Sequence, residues 1–424
     1  MSAPHRAPLL AAAAVLAAGG ALAAQPAGTT GGEPVLPARL PGYSHLTGSL
    51  GDAPPGRVLA VYQQGLGVEL GDVPQALAVG ADGASARRVG TALERGAGDT
   101  QGDAAPMAPS PDGSTVAVGD WDTGTPGSAA PAPADVALVD AASGRTRTLA
   151  VPEAAAVLPL AWSPDSRRLA HLAPHAPAGP FERLAAPGGR LHVLDTGTGR
   201  STAVPGADDV VSAAFSPDGA ELAVQRAGGA VDVLGPDGAL RRTLPAPGGL
   251  LVAGAAWSPD GRLLAVQQDR RVAFAAASGA TGEAVPAPVA GEALLAWRSA
   301  REVLVQDVGA SSSATAADFT VSRADLGTGA LVPSTRVPTA RGNYAVIGLR
   351  LATGLAARAE HVAAVPPADR GRAPLPLRAG AVLAAAGAAA LAAHRLARRR
   401  GPRPPAPRPS GPARWSPAPG AAAR

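Results

Sequence analysis

Cysteine is absent from the 424 residues, which excludes disulfides, thiolate metal sites and cysteine nucleophiles. That absence fits an exported protein. Lysine is absent as well, so every basic residue is arginine, a usage read here as high-GC coding bias rather than chemistry. No phosphate-cradling Gly-rich loop ending in Lys is therefore possible, and no Gly-x-Ser-x-Gly nucleophile elbow occurs. Aromatic residues make up only 3%, so any core has to be built from Val, Leu and Ala. Acid is missing from one region: from Arg395 to the end there are eight arginines and no carboxylate. The net charge of +4 belongs to that tail, and residues 1–394 are mildly acidic. Such a body argues against nucleic-acid binding, which needs a basic face.

What is present is a repeat. Trp257-Ser-Pro-Asp-Gly261 runs into Leu263-Leu-Ala-Val266, and Phe215-Ser-Pro-Asp-Gly219 into Glu221-Leu-Ala-Val224. Trp162-Ser-Pro-Asp165 precedes Arg168-Leu-Ala-His171, and Pro109-Ser-Pro-Asp-Gly113 precedes Thr115-Val-Ala-Val118. Each copy reads as strand, tight turn, strand. Proline presets φ at the second turn position, Ser and Asp bond nearby backbone, and Gly accepts a left-handed conformation. The apolar run that follows is the pattern of a strand buried on both faces. Asp112, Asp165, Asp218 and Asp260, fixed inside this motif, read as turn residues rather than ligands.

The spacing sets the architecture. Ser110, Ser163, Ser216 and Ser258 follow one another at intervals of 53, 53 and 42 residues. Two degraded copies, Ala53-Pro-Pro-Gly56 with Arg57-Val-Leu-Ala-Val61 and Trp297 with Val303-Leu-Val305, extend the series. A four-stranded period of about 40–45 residues is the signature of a propeller blade. A second series of hairpins with glycine at or near the tip agrees: 76–89, 136–149, 191–204, 231–244, 272–285 and 319–332. Six turns and six hairpins predict an all-β, six-bladed β-propeller. The Trp-Ser-Pro-Asp-Gly-Arg-x-Leu-Ala pattern resembles the WD-40-like repeats of the TolB-type six-bladed propellers, over roughly Gly51 to Leu351. The resemblance implies the fold far more than a function, because propellers host binding proteins, hydrolases and lyases alike. Blades one and six have lost Ser-Pro-Asp, and no peptidase-like domain follows.

The flanks have their own signatures. Residues 1–23 read as a signal peptide: a short start carrying Arg6, an apolar run from Leu9 to Leu22, and small residues at Ala21 and Ala23. A linker is expected at 24–42, the propeller at 43–351, and a Pro/Ala/Arg linker at 352–377. Residues 378–397 read as a single transmembrane helix, with its uninterrupted apolar stretch at Ala379–Ala393. The arginine cluster beyond it places the C-terminus in the cytoplasm by the positive-inside rule. The tail, 398–424, reads as disordered.

Candidate chemistry is sparse. His171 and His175 have a spacing that suits a metal only on a helix, and Pro174 breaks that geometry; His192 lies on the next strand. These read as scattered loop and strand histidines. Asp120 with Asp122, and Asp208 with Asp209, are carboxylate pairs beside Gly or Thr, where acidic turn residues are routine. The Gly-Thr-Gly tips at 197–199 and 327–329 read as hairpin turns. Two long loops, 123–135 and 174–190, read either as binding loops on a rigid scaffold or as tolerated surface insertions of plain composition. No catalytic, cofactor or metal residue is assigned, no cofactor is expected, and ligand-binding residues are not assigned. The leading expectation is a non-catalytic, membrane-anchored extracytoplasmic propeller that binds a protein, peptide or glycan of the cell envelope. The alternative is a lactonase-like envelope hydrolase, with His and carboxylates converging on the channel. A third is a sensor coupling outside binding to the cytoplasmic tail.

Overall fold

The computed structural model describes residues 32–42, 44–64, 75–96, 104–121, 134–151, 154–174, 188–227, 229–235, 237–245, 248–280, 282–308, 319–338 and 346–399. Six four-stranded antiparallel sheets form the six blades. The innermost strands of blades two to six are Met107–Pro109, Leu158–Trp162, Val210–Phe215, Leu250–Leu251 and Ala293–Ser299. Blade one takes its innermost strand from the far end of the propeller sequence. Val346–Leu351 pairs with Val58–Gln64, which continues to Gln75–Gly80 and Ala86–Arg88. This exchange closes the ring, because blade one receives its fourth strand from the far end of the propeller sequence. The six-bladed architecture that the repeats resemble is thus the architecture of the chain.

Strand alternation explains the packing. In blade two, Val116 and Val118 join the core shared with blade one, while Ala117 between them joins the core shared with blade three. In blade four, Leu222 and Val224 face blade three and Ala223 faces blade five. Successive side chains on a strand point to opposite faces, and both faces here are covered by a neighbouring blade. That is why the strands read as continuous apolar runs rather than as alternating ones.

The turn motif does what its residues allow. In each good copy the Ser hydroxyl donates to the Asp carboxylate two residues on, at 2.6 Å in all four. The same Ser oxygen accepts the backbone N–H five residues on, at 2.8–3.0 Å. The following position is left-handed: Gly113, Gly219 and Gly261 have φ of 72°, 70° and 71°. In the third blade Ser166 takes that place at φ 60°, against its own preference. Neighbouring turns touch along one rim. The Asp112 N–H donates to Ser166 Oγ at 3.3 Å, and Arg168 donates to the Gly219 carbonyl at 2.7 Å.

The two segments expected as linkers, 24–42 and 352–377, hold structure in their described parts. Val35–Pro37 pairs in parallel with Glu360–Val362. Leu40 and Arg336 exchange backbone bonds with their neighbours along the outer strand of blade six. Gly48, Leu50 and Asp369 do the same for the outer strand of blade one. A short helix, Thr353–Arg358, stands where blade one would carry its turn motif, and Leu355 and Ala356 sit in the core between blades six and one. The physical reason is edge cover: outer strands leave a row of backbone groups unpaired, and these segments pair them.

The helix Leu375–Arg399 begins three residues earlier than the expected 378–397. Pro376 sits in its first turn, where the missing N–H costs nothing. Its stretch Leu375–Leu396, 22 residues with an 18-residue window of mean hydropathy 1.6, is long and apolar enough to cross a membrane by length and composition. The expected signal peptide and most of the tail fall outside the described residues.

Candidate binding channel

The inner strands and the turns that follow them line an open pocket of about 210 Å³. Residues from five of the six blades line it, and nearly all are small or apolar: Ala108, Leu160, Val252, Ala255, Leu294 and their neighbours. Gly254 is required here, since it has φ 75° and a Cβ would come 3.1 Å from the Leu160 carbonyl. One charged side chain enters. Arg350, on the closing strand, faces the cavity and donates from Nη1 to the Leu160 carbonyl of blade three at 3.1 Å. It reaches past blade two to do so. In register it lies opposite Val61, whereas the corresponding pairs in blades two and four are Val118 with Met107 and Val224 with Ala213. An arginine thus stands where those blades place an apolar residue. Burial lowers its pKa from the ordinary arginine value.

Trp162, Trp257 and Trp297 form a ring of repeated contacts behind this lining. Each indole N–H donates to a carbonyl of the preceding blade: Ala108 at 3.0 Å and Ala214 at 3.1 Å on the inner strands, and Ala255 at 2.8 Å in the turn that follows the inner strand of blade five. Phe215, the fourth member, lacks that donor and instead lies under Arg168, 5.2 Å from its ring centre. All four are buried, at 6–8% exposure.

No family model matches the chain, and no curated protein matches it. Among solved structures it is similar to the putative TolB from Agrobacterium tumefaciens, at 12% identity and a TM-score of 0.40, covering 70% of this chain and 99% of that one. It is similar at 14% identity and a TM-score of 0.36 to TolB from Acinetobacter baumannii, with 70% and 77% covered. A chain of a nidogen/laminin complex gives 11% identity, a TM-score of 0.42, and coverage of 70% and 99%. The fold rests on the six sheets themselves and not on these overlaps.

The other singled-out residues lie elsewhere. Asp112, Asp165, Asp218 and Asp260 stay in their turns, and hydrogen bonds from Ser163, Ser216 and Ser258 hold the last three below the ordinary carboxyl value of 3.8. His171 and His192 do come together: they face each other across adjacent strands, with ring centres 5.5 Å apart. Ser201 Oγ sits between them, 3.0 Å from His171 Nε2 and 3.3 Å from His192 Nδ1. His171 is fully buried, and desolvation, reinforced by His192, pushes it down to about 3. A neutral, core-locked imidazole is the result. His175 and Asp122 fall outside the described residues, as do most of the loops 123–135 and 174–190. Asp120 and Asp135 both pair with Arg95, and Asp208 pairs with Arg190 at 2.8 Å. Among the described residues no group of three or more His, Asp or Glu is placed to hold a metal. Arg350 is the residue that sequence reading passed over. The signal was available: it is the single charge in the apolar run Tyr344-Ala-Val-Ile-Gly-Leu-Arg-Leu351.

Proposed function

We propose that this chain is a binding propeller, anchored at the cell envelope with its blades outside the membrane, whose ligand is a protein, peptide or glycan. The observation that carries the reading is the channel lining, where Arg350 is the one charged side chain among mostly apolar described residues. A lactonase-like hydrolase needs several histidines or carboxylates converging on the channel, and the composition of this lining supports recognition over bond cleavage. The anchor is supported by the helix Leu375–Arg399. Its 22-residue span is roughly 33 Å long at 1.5 Å per residue, matching a hydrocarbon core of about 30 Å. Arg395, Arg398 and Arg399 at its end supply the positive-inside bias.

The test is crosslinking of the full-length chain in its native envelope, followed by identification of what it captures. A discrete partner recovered at stoichiometric yield supports the reading. Turnover of lactone or ester substrates by the purified full-length protein, with no retained partner, would replace it with the hydrolase.

A further inference from the structure

Arg350 holds a charge in a place that gives it no counter-ion. It spans the channel to a neutral carbonyl, and no ion pair reaches it among the described residues. Among the described residues its five donor N–H groups meet a single acceptor, the Leu160 carbonyl. Arg350 is half-buried, and a partly desolvated cation with no carboxylate beside it among the described residues gains from an anion brought to it. The cavity beside it, about 210 Å³, far exceeds the roughly 10–15 Å³ that a single water needs. Its walls are Leu160, Val252, Leu294, Leu295 and alanines, with Thr353 the other polar side chain.

We infer that the channel is a carboxylate-binding site, in which Arg350 pairs with the anion and the apolar lining takes a short apolar body. The inference rests on the binding reading and names its ligand chemistry. The guanidinium is a planar fork that matches a carboxylate, and one charge on each side balances. A phosphate fits worse: it carries more charge than one arginine neutralises and has no apolar part for this lining. Two sources supply a carboxylate on a short apolar stem, a small organic acid or the C-terminal end of a polypeptide.

The experiment uses the full-length protein in detergent, with thermal unfolding and calorimetric titration as readouts. Butyrate is the probe, and butyramide, chloride and inorganic phosphate are the controls. Saturable stabilisation by butyrate, absent with butyramide and weaker by at least tenfold in Arg350→Gln, is the expected result. Arg350→Met, which removes the lone charge, is expected to unfold at or above the parent's temperature without ligand, so loss of binding is separated from loss of fold. Equal stabilisation by chloride or phosphate, an adventitious ion only, overturns the inference. So does butyrate binding that survives in Arg350→Gln, or no butyrate binding at all. A hydrophobic tetrapeptide with a free C-terminus, compared with its amide, separates the sources: tighter binding of the free acid than of butyrate assigns a chain end, and the reverse assigns a small acid. Capture of the same partner by parent and Arg350→Gln alike in the crosslinking test, with no carboxylate effect, removes this inference and leaves the binding reading standing.

Discussion

At the scale of single residues, the repeated aromatic is the clearest case of one side chain doing two jobs. Trp257 fills the core between blades four and five and spends its only polar atom on the Ala214 carbonyl. Trp257→Ala is expected to cost about 3–5 kcal/mol, the usual range for a core aromatic, read from denaturant unfolding. Trp257→Phe is expected to cost less, because blade four already runs with Phe215 in that role. The histidine pair gives a pH signature. His171 has a folded pKa of about 3 against an ordinary 6.5, so the unfolded chain binds the extra proton between those values. Stability from this residue is complete above pH 6.5 and is lost as pH falls, by roughly 1 kcal/mol per pH unit. The turn carboxylates are depressed from 3.8, so their contribution is lost only at lower pH. Unfolding free energy is therefore expected to decline between pH 6.5 and about 4, and His171→Gln is expected to flatten that decline. An unchanged slope in the variant would assign the dependence to other groups.

At the scale of elements, the ring depends on segments far apart in sequence. Val346–Leu351 supplies the inner edge of blade one, and the 359–372 region returns over its outer edge. The second contact is fixed by a charge pair: Arg87, 2% exposed, meets Asp369 at 2.7 Å, and Arg87 also donates to the Asp369 carbonyl at 2.6 Å. Asp369→Ala strips a buried guanidinium of its carboxylate and is expected to cost about 3 kcal/mol. A midpoint shift equivalent to less than about 1 kcal/mol would mark the pair as an ordinary surface contact. These elements also mark how far the sequence could be read. The turns and hairpins were legible because Ser-Pro-Asp-Gly and Asp-Gly carry their conformation locally, and six hairpin glycines do lie at positive φ, from Gly83 at 69° to Gly238 at 78°. The edge segments were not, because backbone pairing leaves no side-chain pattern: 33–42 and 359–372 have the Pro/Ala/Arg composition of a linker. The channel was half legible. A strand at 346–351 could be read, but which blade it enters, and hence where Arg350 points, is decided by pairing across the whole ring.

At the scale of the molecule, a closed propeller is followed in the chain by a helix suited to a membrane and an arginine-rich tail. The helix is the marginal part. Its apolar stretch is mostly alanine, and Leu383, Leu391 and Val382 are what would favour insertion most. Protease treatment of intact cells stripped of their wall tests the arrangement most directly, with one epitope in the propeller and another at Arg424. Degradation of the propeller epitope while a tail fragment containing Leu375–Arg424 stays protected is the predicted result. Protection of both epitopes, or recovery of a fully secreted soluble chain that still carries Arg424, would contradict it.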